Sequence, residues 1–290
     1  MKYLSCFLIV FFLSVFSFSC SSTTPATDMD ERIGKTSFEA ECILDSKNRP
    51  GGEISEGTEI LSAKTYLCGS WYYLKSGERR KAYLSLRAMI RKRKMSNRSV
   101  YDTYDELYRE NQPDLALLLM TAFLETGRDK KGASLLLSYY YLSELNYKKA
   151  VQYLDMVLEE DPRHAEALYQ TGYIYFQNRD YKRTIMYLSL AEKYRYDGLD
   201  LPFLLAQSFY NTQDYDEALK VIDRLPSSKL DDRLIVMKGK ILLLKNWNSD
   251  LSYLVRNLPA ERRKAISREW FGEMSPKERR AVSEEFLYFY

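Results

Sequence analysis

KGASLLLSYYYLSELNYKKAVQYLDMVLEEDPRH (131–164) runs into AEALYQTGYIYFQNRDYKRTIMYLSLAEKYRYDG (165–198) and LDLPFLLAQSFYNTQDYDEALKVIDRLPSSKLDD (199–232). These are three rows of 34 residues whose columns agree in chemical type. Tyr147, Tyr181 and Tyr215 fall one row apart, each just after a short turn written Leu145-Asn146, Arg179-Asp180 or Gln213-Asp214. Small or short residues recur at Ser138, Gly172 and Ala206, and again at Ala150, Thr184 and Ala218. Large apolar residues recur at Leu154, Leu188 and Ile222, and a further column holds Val157, Ala191 and Leu225. Self-similarity at a fixed period of this length means one helical hairpin stacked on copies of itself, because no hairpin can bury its apolar face alone. Small residues at the crossing let two antiparallel helices approach, and aromatics fill the angle between hairpins. Asn146, Asp180 and Asp214 stand where a short polar side chain can accept from the free N–H groups of the following helix. Asp161-Pro162 ends one row and opens the next helix, where proline is tolerated.

The register extends outward from these rows. The row from 97 keeps Leu107, Pro113, Ala116 and Met120 around an Asn111-Gln112 turn, and the row from 63 keeps Gly77, Ala82 and Leu86. Downstream, 230–254 repeats the shape two residues out of register, with Trp247 in place of the tyrosine. Residues 259–290 hold two further helical stretches, opened by Pro259 and by Ser275-Pro276, which would close the open end of the stack. The expected organisation is therefore a signal segment at 1–19, a polar tether at 20–54, helical repeats at 55–256 (clearest at 131–232) and capping helices at 257–290. Within 28–54 no periodicity predicts an element. The fold class is all-α, a right-handed solenoid of helix-turn-helix repeats with a helical C-terminal cap.

The columns resemble the tetratricopeptide repeat (TPR), with its small residues at positions 8 and 20, aromatics at 11 and 17, a large apolar residue at 24 and proline at 32; Tyr141, Tyr175 and Phe209 fill position 11 and Pro162 position 32. In that family the inner groove is lined by helix A positions 2, 5, 9, 12 and 13. The resemblance places Tyr101, Tyr108, Leu135, Tyr139, Leu142, Tyr169, Tyr173, Phe176, Gln177, Phe203, Gln207, Tyr210 and Asn211 there. Such an aromatic, amide-dotted surface suits peptide or protein contact, since tyrosine offers rigid area with a polar tip. The same rings could instead pack on the next hairpin. The family's chaperone-binding members clamp a carboxylate with a Lys, Asn and Arg set that these rows do not assemble, so that partner class is disfavoured.

Composition excludes other classes. Of 290 residues 46% are apolar, enough for a continuous core, while 12 Gly and 8 Pro sit mostly between periodic segments. The 43 basic and 40 acidic side chains leave only +3, so no global field implies nucleic acid. One stretch departs from this balance. Residues 78–98 carry Arg79, Arg80, Lys81, Arg87, Arg91, Lys92, Arg93, Lys94 and Arg98 against the single acid Glu78. This basic helix could meet anionic lipid, an acidic protein or wall polymer, or it could be a solvated face paired with nearby acids.

MKYLSCFLIVFFLSVFSFS (1–19) gives Lys2 and then an apolar run over 4–18. At about 1.5 Å per helical residue that run falls short of the roughly 30 Å bilayer core, so an export signal is favoured over a permanent span. Ser17-Phe18-Ser19-Cys20 resembles the lipobox of bacterial lipoproteins, with Ser17 where that family has leucine, and the resemblance implies that Cys20 carries lipid. The following SSTTPAT (21–27) reads as a tether, too polar to offset its ordering entropy by burial. Of the four cysteines, Cys6 would leave with the signal, so Cys42 and Cys68 remain, either paired or simply buried. His164 is the only histidine and no CxxC occurs, so neither a metal nor another cofactor is expected; His164 reads as a solvated residue of a first helical turn. No phosphate-cradling, GxSxG or HExxH motif is present, and acidic pairs such as Glu159-Glu160 and Glu284-Glu285 read as solvated helix faces, so no enzyme is expected. The sequence points to a membrane-anchored scaffold or assembly adaptor of the bacterial envelope, facing the periplasm or cell surface, whose partner is an envelope protein or peptide. The alternative is an accessory ligand-binding component of a solute transporter, which would need a dry, closed cavity between repeats.

Overall fold

Gly77, Asn111, Leu145, Arg179 and Gln213 all adopt positive φ, between 54° and 78°, and they follow one another at intervals of 34 residues; Asn246 (55°) comes 33 residues later. In this computed structural model each of these residues closes a helix. The next N–H reaches back five residues, from Glu78 to the Tyr73 carbonyl (2.7 Å), Gln112 to Leu107 (2.8 Å), Asn146 to Tyr141 (2.8 Å), Asp180 to Tyr175 (2.9 Å), Asp214 to Phe209 (2.9 Å) and Trp247 to Leu242 (2.9 Å). That is the Schellman stop, which satisfies orphan carbonyls at a helix end. The same residue then starts the partner helix: Asn146 and Asp180 each accept from the backbone N–H three residues on, at 3.2 and 3.1 Å. One residue thus both ends helix A and caps helix B, which fixes the hairpin angle without a loop.

The structure describes residues 37–44, 61–226, 230–259, 262, 263 and 266. It divides into two compact units, Met1–Lys47 and Asn48–Tyr290. In the first, α1 (Ser37–Leu44) is an eight-residue helix that the sequence pattern does not announce. Its Cys42 is fully buried; Cys42 and, in the second unit, Cys68 are both disulfide-bonded. The second unit is a succession of hairpins: α2 (Ala63–Lys75) with α3 (Arg79–Lys92), α4 (Asn97–Arg109) with α5 (Pro113–Leu124), and α6 (Lys130–Ser143) with α7 (Tyr147–Glu160). They are followed by α8 (Ala165–Gln177) with α9 (Tyr181–Lys193), α10 (Leu201–Asn211) with α11 (Tyr215–Asp223), and α12 (Asp232–Leu244) with α13 (Asn248–Arg256). Each helix packs on its hairpin partner, and from α5 onward each also packs on the helix that follows it. The described residues contain no strand. No described helix is long and apolar enough to cross a membrane.

The column residues are where the core sits. Ser138, Ala206, Ala150, Thr184, Ala218, Leu154 and Leu188 are fully buried, as are Ala82, Leu86, Ala116 and Met120 in the divergent rows. The geometry requires smallness: a Cβ added at Gly172 would lie 2.6 Å from Leu188 Cδ2 and 3.3 Å from the Leu188 backbone nitrogen. Buried hydroxyls stay cheap because they donate to helix carbonyls, Thr184 to Asp180 (2.9 Å), Thr171 to Ala167 (2.8 Å) and Ser208 to Leu204 (2.6 Å). At the far end Ile266 is buried in the core of the last hairpins, and Arg262 pairs with Asp232 of α12. The remaining expected cap residues, like the apolar run 4–18 and Cys20, lie outside the described residues.

Candidate interaction surface

The resemblance placed a row of tyrosines on the A helices, and the structure ties several of them to the next repeat. Tyr101 of α4 donates to Asp129 Oδ2 (2.7 Å), at the start of α6, and sets its ring edge-on to Phe123 at 5.5 Å. A Cβ at Gly132 would sit 2.3 Å from the Tyr101 hydroxyl, so that glycine makes room for the clasp. Tyr139 of α6 donates to Glu166 of α8. Tyr169 of α8 stacks on Tyr196 at 4.2 Å, nearly parallel at 16°. Arg233 of α12 lies 4.3 Å from the Phe203 ring and bonds Asp200 at 2.9 Å. The Tyr101, Tyr139 and Arg233 contacts run from hairpin to hairpin and brace the stack, while the Tyr169–Tyr196 stack ties α8 to the connection that follows its own hairpin.

Electrostatics agree with that role. Burial, then the negative charge of Glu166, pushes the Tyr139 phenol far above the usual tyrosine range. Tyr101 rises for burial and then its bond to Asp129, and Tyr169 for burial and then its neighbours Tyr196 and Asp200. All three stay protonated at any ordinary pH, and Tyr101 and Tyr139 remain donors. Tyr173 also rises through burial, but its bond to Gln177 pulls the other way.

The other residues assigned to the groove are less committed. Tyr173, Phe176, Phe203, Gln207 and Tyr210 are half-buried, Gln177 and Asn211 exposed. Phe176 meets Tyr181 edge-on at 6.0 Å and Tyr210 meets Tyr215 at 5.6 Å, so the tyrosines that betray the period hold the rings of their own helix A. Leu135 and Leu142 pack on the core of α7 and α8, and Tyr108 leans on Tyr104 at 4.9 Å.

A second aromatic feature went unread in the sequence. Tyr141 stacks on Tyr153 (5.5 Å, 4°) with Lys149 4.7 Å above the first ring, and one period on Tyr175 stacks on Tyr187 (5.5 Å, 13°) with Arg183 at 5.0 Å. Position 11 is visible in the sequence as an aromatic column, but its stacking partner on helix B is not, since the third row has Val221 where the others have Tyr153 and Tyr187. His164 is the N-cap of α8, one residue earlier than a first-turn place, and its Nδ1 accepts from the Ala167 N–H at 3.2 Å.

The basic helix α3 is partly neutralised by α5. Arg79 pairs with Asp114 at 3.5 Å and Arg87 with Glu125 at 3.6 Å, while Arg80 and Arg91 are exposed and Lys92 half-buried. Asp114 is shared with Tyr140 of α6 (3.4 Å), whose phenol is pushed up to about 12 by burial and then by that carboxylate. A depression of about 380 Å³ lies over α11, lined by Glu217, Lys220, Asp223 and Arg224. It is open and charged, unlike the closed cavity that a small-ligand carrier needs.

The family described as anaphase-promoting complex, cyclosome, subunit 3 matches residues 143–225, a stretch that holds the turns at Leu145, Arg179 and Gln213 and the Tyr175–Tyr187 pair. This is a tetratricopeptide-repeat fold. The TPR period is written in its left-handed turns, and the matched segment covers its most regular hairpins. Among solved structures, the chain is similar to pilF of Pseudomonas aeruginosa (TM-score 0.47, 13% identity, 76% of this chain and 96% of that one). It is also similar to a tetratricopeptide repeat protein of Parabacteroides merdae (0.44, 18%, 77% and 90%) and to MamA of Desulfovibrio magneticus (0.41, 20%, 57% and 94%). No curated protein matches the sequence. A TPR fold implies protein partners in general, since stacked hairpins offer an extended surface with no chemistry of its own.

Proposed function

We propose that this protein is a non-catalytic adaptor, tethered to the bacterial cell envelope through Cys20, that holds an envelope protein or peptide along its A helices. The observation that carries the reading is the division of labour on those helices. Tyr101 and Tyr139 spend their polar tips on the next hairpin and Tyr169 its face on Tyr196 in the connection leading to it, which pre-organises the surface beside them. Tyr173 on α8 and the two amides Gln207 and Asn211 on the next A helix, α10, retain accessible area, and an aromatic and amides on adjoining helices are suited to reading an extended peptide. The disulfide-bonded state of Cys42 and Cys68 supports an oxidising compartment, and the apolar run followed by Cys20 supports export and lipid attachment. Two or more acyl chains would be needed for stable anchoring, since one holds only marginally.

The test is affinity capture of envelope partners by the tagged protein and by a Tyr173→Ala, Gln207→Ala, Asn211→Ala variant. These substitutions avoid the braces, so the variant should fold as the parent does by circular dichroism while losing its partner. Undiminished capture would remove this surface from the reading.

A further inference from the structure

Charge is concentrated in one hairpin. Residues 61–96 hold ten Lys and Arg against one acid, while 97–129 hold three against seven. Within α3 the intervals of seven and eleven residues bring Arg80, Arg87 and Arg91 to within about 20° of one helix meridian, along a line of about 16 Å. Arg87 is half-buried beside Glu125. Arg80 and Arg91, with Lys94 just past the helix end, are exposed and make no ion pair among the described residues. Leu84, half-buried, lies between them on the same side, the arrangement in which long basic side chains extend past an apolar stem to a charged plane.

We propose that this face of α3 docks on anionic phospholipid headgroups, holding the first hairpin against the membrane; the proposal rests on the reading that the chain is tethered there. Three features select lipid. The basic hairpin is the first repeat after the apolar run and polar tether, so it is the repeat nearest in sequence to the attachment point. The stripe is a straight line along one helix face, which fits a plane of mobile headgroups better than a single shaped ligand. The next segment is acidic, so a nucleic-acid strand continuing past α3 would be repelled. Each basic residue held at an anionic surface strengthens adhesion about fivefold, so three unpaired ones suffice to set an orientation.

The test uses the full chain in nanodiscs of phosphatidylcholine alone or mixed with phosphatidylglycerol, with arginine modification by phenylglyoxal read residue by residue by mass spectrometry. Arg80 and Arg91 should be modified several-fold more slowly in the anionic discs, and high salt should abolish the difference. Arg179 and Arg195, exposed in later turns, serve as the reference and should not change. Arg87, between them on the stripe, should be slowed as well, and in an Arg80→Gln, Arg91→Gln, Lys94→Gln variant that slowing should be lost. Equal rates in both discs would overturn the proposal, as would protection that needs added wall polymer or an acidic protein and not anionic lipid. Failure of the chain to co-elute with the neutral discs would sink the tether separately, and the two lipid compositions would then be compared on vesicles with the same pair of outcomes.

Discussion

The first hairpin, α2–α3, and the hairpins of 131–226 share a backbone and differ over most of the outside. Both stop helix A at a left-handed residue, Gly77 or Leu145, whose successor reaches back five residues to a carbonyl. Both bury a small residue and a large one in the same columns, Ala82 with Leu86 and Ala150 with Leu154. Outside, two of the later hairpins carry stacked tyrosine pairs capped by a cation, while the first keeps the cation over its position-11 ring, Lys81 5.7 Å from Tyr73, and adds a run of arginines and lysines. The period is therefore a property of turns and crossings, and the exposed face is free to vary. Divergence in a repeat's sequence, when it spares the turn and the columns, is a change of surface and not of fold.

The largest expected effect tests whether the divergent row is a repeat in the energetic sense. Leu188→Ala and Leu86→Ala each empty a fully buried site at the same column. Each should cost about 2–5 kcal/mol, because the surrounding helices relax only partly around the lost methyls. Chemical denaturation of the two variants should give losses within the scatter of one another. A much smaller loss at Leu86 would mean that the first hairpin is a loose appendage to the regular array.

Next in size are the braces, which belong to the middle of the stack. Tyr139→Phe leaves Glu166 without its donor and should cost about 1.5–3 kcal/mol, the range for a hydrogen bond to a charged group. The same tyrosines set a pH limit. An unfolded tyrosine ionises near pH 10, and the raised phenols of Tyr101, Tyr139 and Tyr169 mean that the folded state keeps protons which the unfolded state releases above that value. Their contribution is present in full below about pH 10 and falls as pH rises beyond it. Absorbance titration should show exposed tyrosines ionising first and the braced ones only as helicity is lost. A single smooth titration with the helices intact would show that the braces are open in solution.

How much of this was legible divides along the same line. Tyr147, Tyr181 and Tyr215 announced the period, and the structure makes them the residues against which helix A rests its own rings at Phe176 and Tyr210. The small columns were legible because close approach tolerates few side chains. The left-handed positions were not: Asn111, Leu145, Arg179, Gln213 and Asn246 share a conformation but no chemistry, since the hairpin imposes it on whatever residue stands there. The braces were hidden as well, because Tyr139 and Glu166 lie 27 residues apart and a groove tyrosine looks the same in sequence whether it waits for a partner or already has one. Helix α1 carries too short a pattern to stand out, and its Cys42 shows only that a cysteine is there to pair.

The turns allow a finer comparison. A left-handed L-residue costs about 1–2 kcal/mol that glycine does not, offset by about 0.5–1 kcal/mol for glycine's larger loss of freedom. Leu145→Gly should therefore stabilise by about 0.5–1 kcal/mol, relieving an exposed leucine of a strained φ of 54°. Gly77→Ala should destabilise by a similar amount, although nothing lies within 4 Å of the added carbon, because the penalty is in the backbone at φ 78°. Opposite signs at equivalent turns would show in thermal melts that the first hairpin and the regular ones obey one conformational rule.

The smallest expected effect bears most directly on why the two regions differ outside. Arg80→Gln and Arg91→Gln remove charges that make no ion pair among the described residues, from a helix already crowded with like charge. Surface changes of this kind stay within about 0.5 kcal/mol, and relief of repulsion between basic neighbours makes a slight gain the expected direction. If denaturation midpoints hold or rise, the fold does not require these arginines, and their place on one face has to be explained by what that face meets. A clear loss of stability would mean that they serve the hairpin itself. The contrast with the tyrosine-bearing repeats would then be a matter of packing alone.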